Sequence, residues 1–122
     1  MTARVRVARK LVYEKQASIL YTDTTAATIF RLPAGAIPIS VSCFTAAASI
    51  GATLDVGVAA NDDQYIAALD VSAVGMSVGT LLDMTKLTEP TEIQALIGGA
   101  PASGGPFTIV MCFISEKSIG PK

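Results

Sequence analysis

The segment Thr28-Ile-Phe-Arg-Leu-Pro-Ala-Gly-Ala-Ile-Pro-Ile-Ser-Val-Ser-Cys-Phe44 contains two apolar runs separated by one turn signal. Pro33 fixes φ near the value that a turn requires, and Gly35 accepts a left-handed backbone. After the turn, apolar residues alternate with other residues, and we expect Ile37, Ile39, Val41 and Cys43 to share one face. Alternation with a period of two is typical of a half-buried strand. The segment therefore predicts a strand, a tight turn and a second strand.

The same alternation recurs along the rest of the chain. Its apolar stripes are Leu54, Val56 and Val58; Ile93, Ala95 and Ile97; and, more weakly, Met76, Val78, Thr80 and Leu82. Evidence for helices is thin, because residues 64–71 fit either one helical turn or a short strand, and residues 81–92 form a loop broken by Pro90. About eight short strands with frequent turns predict an all-β fold, either a sandwich or a barrel, and of these we predict a single antiparallel β-sandwich.

The last strongly apolar run, residues 107–114, differs from the others because both of its faces are apolar. Such a strand is typically buried on both sides. In a two-layer sandwich one face meets the core, so the other face must meet a neighbouring subunit or a further layer. The candidates for that subunit interface are Phe107, Ile109, Met111 and Phe113.

The composition also favours association. The chain has 122 residues, which suits one domain, and only 16% are charged while 51% are hydrophobic. An average soluble domain has about 25% charged residues, so a monomer would expose much apolar surface. Oligomerisation or docking would cover it. The alternative is that small alanine residues raise the mean hydropathy of +0.53. No apolar run reaches the ~20 residues of a membrane helix, and we expect no membrane partner.

Positive charge is concentrated at the N-terminus. The first fifteen residues contain one acid, Glu14, and five cations: Arg4, Arg6, Arg9, Lys10 and Lys15. We therefore divide the chain into a basic, extended N-terminal arm at residues 1–17 and a sandwich domain at residues 18–122. Residues 4–7 also fit an edge strand, and residues 9–16 a short helix. If the arm is separate, its deletion leaves the sandwich folded.

The arm is expected to bind an acidic protein surface. Clustered Lys and Arg also suit nucleic acid, but Tyr13 is the single aromatic residue among them and the pI of the chain is about 5.2. Nucleic acid is therefore the less favoured partner, and salt bridges to an acidic neighbour are preferred.

Residue types exclude most catalytic chemistry. Without histidine, neither a Ser-His-Asp nor a Cys-His nucleophile can be assembled. The two cysteines lack zinc-site spacing and are expected to be structural thiols. Four acidic residues could gather around calcium: Asp55, Asp62, Asp63 and Asp70. The alternative is that Asn61 and the following aspartates bond to their own backbone in a turn. We expect neither an enzyme nor a cofactor.

The order of three motifs resembles one protein family. The motifs are Leu32-Pro-Ala-Gly-Ala-Ile-Pro-Ile-Ser-Val41, Gly51-Ala-Thr-Leu-Asp-Val-Gly-Val58 and Asn61-Asp-Asp-Gln-Tyr-Ile-Ala-Ala-Leu-Asp-Val-Ser72, followed by a Gly-rich loop and the final apolar strand. Over residues 28–115 this order is similar to that of small β-sandwich capsid decoration, or cement, proteins of tailed bacteriophages.

The resemblance implies a structural virion protein. Such subunits have a jelly-roll-like β-sandwich fold and are often homotrimers. They bind the major capsid protein on the outside of the head at capsomer junctions and stabilise the head. The chain would then be assembled in the host cytoplasm and reside on the capsid surface. The family has no catalytic residues to carry over, and the arm lies outside the pattern. Two alternatives remain: a neck, tail or fibre-base component of the virion, and a carbohydrate- or calcium-binding module that uses residues 61–64.

Overall fold

The computed structural model describes residues 11–115, which form eight β-strands. The strands are β1 (Leu11–Ile19), β2 (Ala27–Leu32), β3 (Ala36–Thr45), β4 (Thr53–Val58), β5 (Asn61–Asp70), β6 (Gly75–Gly79), β7 (Thr91–Gly98) and β8 (Phe107–Ser115). All of their pairings are antiparallel. This range contains no helix that is long and apolar enough to span a membrane.

The strands form two four-stranded sheets. Sheet A has the order β1-β8-β3-β6, and sheet B has the order β2-β7-β4-β5. Only β4 and β5 are consecutive strands that pair with each other; every other pairing joins strands distant in sequence. Neither sheet can therefore form from a local segment. The single antiparallel β-sandwich that the alternation predicts is confirmed.

Strand β8 is the centre of the core. It pairs along its whole length with β1 on one side and with β3 on the other. Its odd-numbered side chains point at sheet B and are 0–6% exposed. The opposing apolar side chains come mainly from β4 and β7, among them Leu54, Val56, Ile93 and Ile97. Burying one such side chain contributes about 1.5–3 kcal/mol, so this layer dominates stability.

Strand β3 corrects one expectation. Its register with β8 shifts between Pro38 and Ser40, which places one extra residue, Ile39, in β3. Such a bulge reverses the alternation. Val41 and Cys43 point into the core as expected, but Ile37 lies opposite Ile114 on the outer face. The predicted apolar stripe is therefore wrong in its first half, because the pattern of side chains carries no direct signal for the bulge.

Strand β5 contains the segment that fitted either a helical turn or a strand, and it is a strand. Its pairing with β4 is irregular at two points. At one, Ala68 takes a left-handed φ of 51° and donates its N–H to Asp55 Oδ1 at 2.6 Å. At the other, Gly57 has no side chain, which leaves room for the backbone of Asn61 and Asp62 to pass close by. Asp55 and Gly57 thus hold the irregular hairpin in shape.

Strand β1 corrects the boundary of the arm. Residues 11–17, which we assigned to an extended arm, belong to this strand and pair with β8. Tyr13 stacks on Phe113 with ring centroids 5.5 Å apart. Of the five cations assigned to the arm, only Lys15 falls in β1, where it is exposed. The other four, Arg4, Arg6, Arg9 and Lys10, lie outside the described residues.

Deleting residues 1–17 should therefore unfold or severely destabilise the protein. The deletion removes the hydrogen bonds of β1 to β8 and uncovers the aromatic ring of Phe113. The matched control removes only residues 1–10 and leaves β1 intact. We expect a much lower urea midpoint, or insolubility, for the longer deletion than for the shorter one. Equal midpoints for the two deletions would show that β1 does not contribute to the sandwich.

Candidate interaction surface

The outer face of sheet A is a continuous surface built from all four strands. Directly opposed residues place outward side chains in four rows. The rows are Val12–Ile114–Ile37, Glu14–Cys112–Ser40, Gln16–Val110–Ser42–Val78 and Ser18–Thr108–Phe44–Met76. We call these fourteen side chains the sheet A face. Two of them bond to each other, since the hydroxyls of Ser18 and Thr108 lie 3.1 Å apart.

Eight of the fourteen side chains of the sheet A face are apolar, and several of these are exposed. Val78 is 71% exposed, Met76 60% and Phe44 44%, while Val110, Cys112 and Ile114 are half-buried. Only one residue of the face, Glu14, carries a formal charge, and it lies on the edge strand β1. A contiguous apolar patch of this kind is typical of a surface that another molecule covers.

The outer face of sheet B is different, because it is mainly polar. Arg31 of β2 lies opposite Glu92 of β7, and Thr28 donates its hydroxyl to Glu92 Oε1 at 3.1 Å. Gln94 and Asp55 also lie on this face, beside the apolar Leu96. The sandwich is therefore asymmetric: the outer face of sheet B suits water, whereas the outer face of sheet A does not.

The four residues proposed as an interface lie in the core. Phe107, Ile109, Met111 and Phe113 contact sheet B and are 0–3% exposed, so no partner can reach them while the sandwich is closed. The outward residues of the same strand belong to the sheet A face. Since both faces of β8 are apolar, its pattern left the choice open. The size of the side chains could have identified the core face, because both phenylalanines of the strand lie on the buried face and its threonine lies on the other.

The acidic residues do not gather into one site. Asp55 accepts the Ala68 N–H, as described above. Asp70 accepts both the hydroxyl and the N–H of Ser72, which lowers the pKa of the Asp70 carboxyl. Asn61 Oδ1 accepts the N–H of Asp63 at 3.4 Å. Between residues 11 and 115, no three His, Cys, Asp or Glu side chains are grouped so that they could hold a metal ion.

A second polar cluster holds the long loop between β6 and β7 against β5. Leu82 donates its N–H to the carbonyl of Tyr65, and Gln64 Nε2 donates to Asp83 Oδ2 at 3.0 Å. Hydrogen bonds from Thr85, and then from Gln64, lower the pKa of Asp83. Burial, and next the charge of Asp83, raises the pKa of Tyr65. These contacts explain how an exposed loop of eleven residues keeps its position.

The two cysteines are free and lie on opposite faces of sheet A. Cys43 points into the core and is fully buried, and this burial raises the pKa of its thiol from 9.0 to about 11, although a hydrogen bond with Thr45 lowers it slightly. Cys112 belongs to the sheet A face and is half-buried. Their positions on opposite faces rule out a disulfide between them within one sandwich.

Chains from three phage capsid structures share this fold. The first, in the Cyanophage Pam1 capsid asymmetric unit, aligns with a TM-score of 0.72 and 20% identity over 94% of this chain and 92% of its own. A chain from the acidic stable capsid of Helicobacter pylori bacteriophage KHP30 aligns with a TM-score of 0.72 and 15% identity, over 93% and 97%. A chain from the capsid of Ralstonia phage GP4 aligns with a TM-score of 0.64 and 20% identity, over 98% and 92%.

At these identities the likeness establishes the fold. Each alignment covers nearly all of both chains, so the matched chains consist of little besides this sandwich. No protein-family model matches the sequence. No curated protein matches it either.

The buried thiol of Cys43 makes stability depend on pH. Its pKa is higher in the folded state than in the unfolded state, so the folded form resists ionisation. Stability is complete below pH 9 and falls as the pH rises toward 11, by roughly 2–3 kcal/mol from this group. The Cys43→Ala variant lacks this contribution. We therefore expect the free energies of unfolding of wild-type and variant to converge from pH 8 to pH 11 in urea titrations.

The control is Cys112→Ala, which removes a thiol from the opposite face of the same sheet. A difference between wild-type and Cys43→Ala that stays constant across this pH range would contradict the burial of the Cys43 thiol.

Proposed function

We propose that this chain is a structural protein of a bacteriophage virion, and specifically a capsid decoration protein. In this proposal it binds the major capsid protein on the outside of the head, at capsomer junctions, as a homotrimer, and it stabilises the head. The observation that carries the proposal is the fold likeness to chains from three phage capsids over nearly their whole length.

The layering of the sheets supports the same function. Eight strands in two four-stranded sheets, with the orders β1-β8-β3-β6 and β2-β7-β4-β5, are what a jelly roll requires, and viral capsid domains use jelly rolls. The architecture also favours rigidity, because almost every strand pairs with strands distant in sequence. A rigid subunit suits a part that has to resist deformation of a shell.

The surface supports attachment rather than catalysis. An apolar sheet A face offers burial at about 25 cal/mol per Å², and a typical interface buries about 800 Å² on each partner. Many such contacts, repeated over a particle, give strong attachment through avidity without any single strong site. Of the four carboxylates that could have served a calcium module, those of Asp55 and Asp70 are engaged in local hydrogen bonds.

The basic N-terminal residues have a defined part in this proposal. Arg4, Arg6, Arg9 and Lys10 connect to Leu11, which lies opposite Ser115 at one end of the sandwich. We propose that they pair with an acidic surface of the capsid protein or of an adjacent trimer. Exposed charge pairs weaken as salt rises, so this part of the attachment should depend on ionic strength.

Purified heads that lack the chain provide the test. Adding the full chain should give co-sedimentation with the heads and should raise the temperature at which they release DNA, because every bound copy links neighbouring capsomers. Replacing Arg4, Arg6 and Arg9 together by Gln should weaken co-sedimentation. It should also make the binding less dependent on salt, since fewer charge pairs remain to be screened.

The matched control is Arg31→Gln, which removes a cation from the outer face of sheet B and should bind heads as wild-type does. Failure of the wild-type chain to bind heads would contradict the decoration function. Unchanged salt dependence in the triple variant would contradict only the role of the basic residues.

A further inference from the structure

We infer that the cleft between β5 and the β6–β7 loop binds a cationic side chain, preferably that of an arginine, on the surface of a partner protein. The cleft has a volume of about 380 Å³, which lies within the range of roughly 300–1,000 Å³ that is typical of ligand sites. Its walls come mainly from Val58 at the end of β4, from Gln64 and Tyr65 of β5, and from loop residues 83–89. We call it the loop cleft.

The hydroxyl of Tyr65 is the observation that points to a ligand. Tyr65 is 1% exposed, and among residues 11–115 its hydroxyl has no hydrogen-bond partner. It is not sealed in the core, because within this range the one side-chain oxygen that is fully buried without a partner belongs to Ser49. Burial, and next the charge of Asp83, raises the pKa of Tyr65, so the hydroxyl lies near that carboxylate. Both residues line the loop cleft. A buried tyrosine hydroxyl usually has a partner, and here the side left open is the cleft.

The lining of the loop cleft is negative. It contains two acidic residues, Asp83 and Glu89, and Lys86 is the one cation among the lining residues. Asp83 Oδ1 accepts the N–H of Thr85 at 2.8 Å, and Asp83 Oδ2 accepts a hydrogen bond from Gln64 at 3.0 Å. An ionised carboxylate has about four acceptor sites, so Asp83 can accept from a further donor. A ligand that carries positive charge and several donors suits this lining.

An arginine side chain matches the loop cleft best. Its guanidinium group is planar and has five N–H donors, so it can donate to the carboxylate of Asp83 and to the hydroxyl oxygen of Tyr65 together. Val58 and Leu87 are half-buried apolar residues of the lining, and they can pack against the methylene groups of a long side chain. A metal ion fits less well, because residues 11–115 hold no group of three side chains that could bind one.

The exposure of the lining favours a cation that is carried on a protein. Thr85, Thr88 and Glu89 are exposed, so a small free molecule would keep much of its surface in water, whereas a protein adds contacts around the cleft. In the proposed function the partner is the capsid protein, and only this identification rests on that function. The basic N-terminal residues and the loop cleft then provide charged contacts of opposite sign, which fix the orientation of two partners.

Titration of the full chain with the peptide acetyl-Gly-Arg-Gly-amide is the first test. The control peptide has citrulline, which is neutral and of nearly the same shape, in place of arginine. In nuclear magnetic resonance spectra the side-chain amide of Gln64 and the backbone amides of Thr85 and Thr88 should shift with the arginine peptide and not with the control. Equal shifts with both peptides, or no shift with either, would overturn the inference.

Two variants then separate binding from folding. Tyr65→Phe removes a hydroxyl that has no partner among the described residues and keeps the ring, so the urea midpoint should not change. The dissociation constant of the arginine peptide should rise about two- to tenfold for this variant. It should rise roughly two- to fivefold for Glu89→Gln, which removes an exposed charge. The matched control, Glu14→Gln, removes an exposed carboxylate of β1 and should bind as wild-type does. Affinities of Tyr65→Phe and Glu89→Gln equal to that of the wild type would overturn the inference.

The competing occupant is the basic N-terminal segment of this chain itself. Deleting residues 1–10 should leave the affinity for the arginine peptide unchanged. A higher affinity after the deletion would show that the chain's own cations fill the loop cleft, and it would overturn the assignment to a partner. These measurements need no phage heads. A chain that binds the peptide but not heads would contradict the proposed function alone, and one that binds heads but not the peptide would contradict this inference alone.

Discussion

The double pairing of β8 is the constraint on which the rest of the structure depends. This strand bonds to β1 and β3 along its whole length and is apolar on both faces. Its inner face fills the space between the sheets, where Phe107 and Ile109 are fully buried. Residues 11–115 form only two layers, so none of them covers its outer face. The apolar core and the apolar surface therefore follow from one strand, and the neighbouring strands extend that surface through Ile37, Phe44 and Val78.

The asymmetry of the two outer faces connects the fold to the proposed function. A monomer that acts alone has no physical reason to keep one sheet polar and the other apolar. A subunit of an assembly has such a reason, because the apolar sheet provides the contact and the polar sheet, with Arg31 and Glu92, remains in water. The contact of Asp83 attaches the β6–β7 loop to β5, and the contact of Asp55 attaches β4 to β5. Rigid subunits with modest individual contacts suit a lattice in which many copies act together.

Sequence patterns predicted the layers of this fold better than its details. Where the period of two is uninterrupted, as in Ile93, Ala95 and Ile97, the residues predicted to form one stripe do share a face, and that face is buried. The prediction from the pattern was wrong where the backbone is irregular. The bulge at Ile39 reverses the alternation, so Ile37 points outward. The prediction was also wrong at residues 11–17, because charged side chains fit an edge strand as well as an arm. The sequence predicted that β8 would expose an apolar surface, but it did not predict which residues form that surface. A strand that is apolar on both faces does not reveal which face is the core.

The number of copies of the chain per particle tests the central claim most directly. It can be measured by quantitative mass spectrometry of purified virions, relative to the major capsid protein. A decoration protein at capsomer junctions covers the whole head, so the account predicts a ratio near one to one. A handful of copies per particle, as a neck, tail or fibre-base component would have, would contradict it.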